Sequence, residues 1–91
     1  MSLTFRYHQG IRLSYDRQGY IYFKSRLYHQ LPEEEKKRMN EIINAAGGEY
    51  RTALFVFVTT DHGARYICVR YGLSKATLYR AVKRYYESFD L

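Results

Sequence analysis

A-R-Y-I-C-V-R-Y-G-L-S-K-A-T-L-Y-R-A-V-K-R-Y-Y, residues 64–86, reads as two short helices joined at Tyr71-Gly72-Leu73. Gly72 supplies a residue that can take positive φ, which a helix C-terminus needs where the chain turns sharply, and Ser74 follows at once as an N-cap. Helix, glycine turn and capped helix make up the pattern of a helix-turn-helix. Cys68, four residues before the glycine, is small enough for two crossing helices to approach there. Ile67, Tyr71, Leu73, Leu78 and Val82 give the pair a shared apolar face.

The outward face of the second helix carries the functional expectation. With Leu78, Ala81, Val82 and Tyr85 turned inward at helical spacing, Lys75, Ala76, Tyr79, Arg80, Lys83 and Arg84 are left on the solvent side. Between Asp61 and Glu87 stand Arg65, Arg70, Lys75, Arg80, Lys83 and Arg84 and no acid, so a duplex would meet uninterrupted positive potential. The plainer reading of such a run is a solvated helical face. Here, though, the run coincides with the Gly-Leu-Ser turn.

The segment Gly72-Leu73-Ser74-Lys75-Ala76-Thr77-Leu78-Tyr79-Arg80 resembles the recognition-helix half of the helix-turn-helix modules that end serine resolvases and DNA invertases. Their run is glycine, apolar, serine, then threonine-leucine-tyrosine-arginine. The resemblance, confined to about residues 64–86, implies that Arg80 reaches a base edge while Tyr79, Thr77 and Ser74 hold phosphates or neighbouring bases. The recombinases carry a large catalytic domain ahead of this module, and the residues ahead of it here are unrelated to that domain, so DNA binding is implied and recombination is not. The chain as a whole looks like short proteins encoded in phages and mobile elements of Firmicutes.

Ninety-one residues make a single domain, 1–91, with 46% hydrophobic and 18% aromatic residues, a composition that argues against intrinsic disorder. Eleven tyrosines suggest a core closed partly by side chains with wet tips. The net charge of +6 favours polyanionic partners. Cys68 is the only cysteine, which excludes an intramolecular disulfide and fits a reducing compartment. Neither a secretory h-region nor an apolar run of membrane-spanning length is present, and the expected location is cytoplasmic.

Residues 3–24 alternate as strands do. Phe5 and Tyr7, then Ile11, Leu13 and Tyr15, then Ile21 and Phe23 interleave with polar neighbours, with turns at Gln9-Gly10 and Asp16-Arg17-Gln18-Gly19. A three-stranded antiparallel β-meander over 3–24 follows, its outer face offering Arg6, His8, Arg12, Tyr20, Tyr22 and Lys24. Next comes an amphipathic helix over 32–46: Pro32 at its start, Glu33 to Glu35 on the positive end of the dipole, Met39, Ile42, Ile43 and Ala46 at helical spacing, and Gly47-Gly48 as its stop. Residues 50–59, Y-R-T-A-L-F-V-F-V-T, have strand propensity, yet Tyr50, Ala53, Leu54 and Phe57 also mark one helical face. The helix is chosen, because a helix-turn-helix needs a third helix to close its core. That gives a three-helix unit over 50–88, with Thr60 or Asp61 capping a helix at 62–71. The expected class is α+β: a small N-terminal meander followed by a helical part containing a helix-turn-helix.

His8, His29 and His62 are scattered over three segments with one cysteine, and no phosphate-binding glycine loop is present, so no enzyme, metal or organic cofactor is expected. The leading function is sequence-specific binding of double-stranded DNA, as a transcriptional regulator or an accessory factor of a mobile element. The candidate residues are Ser74, Lys75, Thr77, Tyr79, Arg80, Lys83 and Arg84, with Arg65, Arg70, Arg12, Tyr20, Tyr22 and Lys24 as secondary contacts. One alternative is a phage-type protein-binding module or inhibitor that occupies a nucleic-acid-handling host or element protein; another is single-strand binding by the tyrosine-rich sheet. A homodimer is expected because such modules bind repeated half-sites. Its candidate interfaces are the helix at 32–46, the tail from Tyr86 to Leu91 and the sheet edge.

Overall fold

The computed structural model describes residues 10–89, all of them in helices, turns or loops. Five α-helices follow one another: α1 Tyr15–Arg26, α2 Glu33–Gly47, α3 Arg51–Thr59, α4 Ala64–Tyr71 and α5 Lys75–Glu87, with single 3-10 turns at Tyr28–Gln30 and Gly48–Tyr50. The domain is therefore all-α among the described residues. This corrects the α+β expectation and its β-meander over 3–24; the first expected strand, around Phe5 and Tyr7, lies outside the described residues.

α1 takes the place of the expected second turn and third strand, with Ile11, Arg12 and Leu13 of the expected second strand in a bend ahead of it, for reasons the hydrophobic pattern hides. Ser14 caps it, its Oγ accepting from the Arg17 N–H at 3.2 Å, and Asp16 sits in the first turn with Lys24 and Arg26 in the last, complementing the dipole at both ends. The inward positions Gln18, Ile21 and Ser25 recur at i, i+3 and i+7, with Gly19 beside them. Only one of these is a large apolar residue. Tyr15 and Tyr20 point outward instead, so apolarity along α1 alternates as in a strand while burial follows a helix.

α2 begins after Pro32, which takes the N-cap position, and keeps Glu33, Glu34 and Glu35 in its first turn. Met39, Ile43 and Ala46 form its buried stripe, and Gly48 at φ 56° ends it. α3 touches all four other helices, which explains its apolar residues on nearly every side and why residues with strand propensity are helical there. Its Thr59 hydroxyl donates to the Phe55 carbonyl at 2.6 Å, and Phe55 meets Tyr28 edge-on at 5.1 Å.

α3, α4 and α5 contact one another pairwise, and α1 and α2 pack against this group through α3 and α5. The core joins Ile21 of α1, Met39 and Ile43 of α2, Leu54 of α3, Ile67 of α4 and Leu78, Val82 and Tyr85 of α5. A buried polar link crosses it. The Ser25 hydroxyl donates to the Ile21 carbonyl at 2.7 Å, so its single hydrogen is spent and the Tyr85 hydroxyl donates to it at 2.6 Å. No helix among the described residues is long and apolar enough to cross a membrane.

Candidate nucleic-acid interface

Gly72 takes φ 70° and ψ 45°, the left-handed conformation. Its N–H and that of Leu73 both donate to the Cys68 carbonyl, at 2.9 and 3.2 Å, which closes the end of α4. Leu73 then turns into the core, and Ser74 opens α5 by accepting the Thr77 N–H at 3.1 Å. The Ser74 hydroxyl donates to Thr77 Oγ1 at 3.0 Å, and an Arg80 Nη donates to the same oxygen at 3.3 Å. Ser74, Thr77 and Arg80 thus form one linked group on the first turns of α5.

Leu78, Ala81, Val82, Tyr85 and Tyr86 hold α5 down, while Lys75, Ala76, Arg80 and Lys83 are exposed. Exposed Arg65 and Arg70 add charge from α4, the Arg70 guanidinium lying 5.5 Å from the Tyr71 ring centre. Two of the expected contacts are engaged elsewhere. Arg84 donates through Nε to the Ala46 carbonyl at 2.9 Å and so places a cation on the C-terminal end of α2. Tyr79 is half-buried, its ring edge-on to Phe57 at 6.4 Å.

The secondary contacts on α1 lose the common sheet face expected for them. Lys24 pairs with Glu35 at 3.0 Å, and that hydrogen bond, outweighing partial burial, holds its ammonium pKa above the ordinary lysine value. Tyr20 and Lys24 line a groove with α2, whereas Tyr22 faces the loop before α4 and accepts from Arg26 at 2.9 Å. Arg26 also pairs with Asp61. Arg12 is exposed, its backbone N–H on the Glu87 carboxylate at 2.9 Å.

One surface feature escaped the sequence reading. His62 stacks on Tyr66 with ring centres 4.2 Å apart, and Val69 beyond them is 79% exposed, so α4 carries an aromatic and apolar stripe between Arg65 and Arg70. The i, i+4 spacing of His62 and Tyr66 was the available signal. No cluster of three or more His, Cys, Asp or Glu side chains able to hold a metal ion occurs among the described residues. No family model, no curated protein and no solved structure matches the chain.

Proposed function

We propose that the chain binds double-stranded DNA by laying α5 in the major groove, and that it acts as a small transcriptional regulator or an accessory factor of a mobile element. The supporting observation is the surface just described: a capped helix after a left-handed glycine, with Lys75, Arg80 and Lys83 outward and no acid from His62 to Tyr86. Thirteen helical residues span about 20 Å at 1.5 Å each, long enough for side chains of successive turns to meet adjacent bases and phosphates. In this reading Arg80, steadied by Thr77, offers its planar fork to a guanine edge, and Lys83, near the next turn, approaches phosphate.

Selection of bound fragments from a random duplex pool supplies the site, and two variants then separate the roles. Arg80→Ala should cost about 1–3 kcal/mol on the selected site and little on random duplex, whereas Lys83→Ala should weaken both alike. Equal losses on both DNAs for Arg80→Ala remove the base-reading role and leave DNA binding. If neither duplex binds below about 100 µM at about 0.1 M salt, weaker than the ordinary range of non-specific binding, DNA is not the partner and the protein-binding reading takes its place. The single-strand reading lost its platform when the tyrosine-rich residues of 15–26 proved helical.

A further inference from the structure

A groove of about 540 Å³ opens where α1, α2 and the residues after α5 meet. Met39, Ile42, Ala45 and Phe89 give it an apolar lining, and Tyr20 stands on its α1 wall, 51% exposed. Charges of both signs surround this lining, Lys24 and Arg38 against Glu35 and Glu41, for a local balance of zero. On a chain of net charge +6 that balance leaves no net charge at the groove to repel a second copy. Every charged residue from His62 to Tyr86 is a base, so two copies brought together through the outward faces of α4 and α5 repel.

We propose that the groove is the seat of a second copy of this chain, related to the first by a two-fold axis. Such an axis makes a surface meet itself, so each base must find an acid on the same surface of the other copy. Arg38 and Glu41, one turn apart on α2, provide that pairing in both directions across the axis. Tyr20 and Lys24, at i and i+4 on α1, form one wall, and half-exposed Tyr20 supplies the apolar anchor that a stable contact needs. Two of the regions expected to form an interface, the helix at 32–46 and the residues after Tyr86, converge here. Lys75, Arg80 and Lys83 lie outside the groove and stay uncovered. The contact does not depend on DNA, so its test uses protein alone.

Sedimentation equilibrium of the full chain should show the mass doubling between about 1 and 200 µM, the range of weak to moderate association. Ala45→Arg, at an exposed position, should raise the dissociation constant at least about tenfold with the far-ultraviolet circular dichroism unchanged. Arg38→Glu and Glu41→Arg should each weaken the dimer about three- to tenfold, and the double exchange should recover most of the loss, a recovery that requires copy-to-copy pairing. A wild-type chain that stays monomeric over the range, or an Ala45→Arg variant that dimerises like wild type, overturns the proposal.

Discussion

Ser25 and Tyr85 share one hydrogen bond but should not be equally costly to change. Ser25→Ala leaves the Tyr85 hydroxyl, which is fully buried, without its acceptor, whereas Tyr85→Phe leaves the Ser25 hydroxyl bonded to the Ile21 carbonyl. An orphaned buried donor costs about 1–3 kcal/mol and a cleanly removed bond about 0.5–1.5, so urea unfolding should place Ser25→Ala below Tyr85→Phe in stability. The reverse order would show that the Tyr85 hydroxyl finds another partner. Burial also pushes the pKa of Tyr85 and of Tyr86 well above the ordinary tyrosine value of 10.0. For an acid raised on folding, stability is full below the unfolded pKa and is lost as pH rises toward the folded one. Stability should therefore hold to about pH 10 and then fall by up to about 1.4 kcal/mol per pH unit for each tyrosine, and Tyr85→Phe should remove one of the two contributions. Gly72 and Ser74 were legible in the sequence because a left-handed turn and an N-cap admit few residue types. Ser25 and Arg84 were not, since a serine bonded to a tyrosine sixty positions away, or an arginine on a carbonyl thirty-eight positions away, leaves no local mark.

α1 shows why periodicity failed at one element and succeeded at others. The outward tyrosines and the alternation of Ile21 and Phe23 read as a strand, while the buried face is made of Gln18, Gly19, Ile21 and Ser25. A polar inner face is tolerated because its groups are bonded, Gln18 Nε2 to the Leu13 carbonyl at 3.1 Å and Ser25 to Ile21 and Tyr85. The signal that outweighed β propensity was Ser14 with Asp16, a helix start. Ser14→Ala should accordingly cost about 0.5–2 kcal/mol in thermal or urea unfolding, and no measurable loss would mean that packing alone defines α1. α2 and α5 were readable because their buried stripes, Met39-Ile43-Ala46 and Leu78-Val82-Tyr85, are apolar at helical spacing. Between α4 and α5, Gly72→Val tests the turn itself. Nothing lies within 4 Å of where its Cβ would sit, so the expected loss of about 1–3 kcal/mol comes from backbone strain at φ 70° alone. An unchanged midpoint would mean that the turn relaxes to another conformation.

Across the whole molecule, charge separates into bases held by acids and bases facing water. Lys24 is matched by Glu35 and Arg26 by Asp61, while Arg65, Arg70, Lys75, Arg80 and Lys83 project from α4 and α5. The net charge of +6 does not distinguish the two groups, and Lys24 reads as a contact in the sequence because the acid that neutralises it lies on another helix. If DNA is the partner, the duplex should feel the second group and not the first. With four or five phosphates neutralised per chain bound, the logarithm of the association constant for random duplex should fall with the logarithm of salt concentration with a slope of about −4. Lys83→Ala should make that slope shallower by about one unit, because it deletes a cation that displaces counterions from the duplex. Lys24→Ala should leave it unchanged within about 0.3 units, since its charge is already balanced inside the protein. Titrations of one random duplex at four salt concentrations compare the two variants, and a full-unit change for Lys24→Ala would place α1 inside the footprint and move the contact surface away from α5.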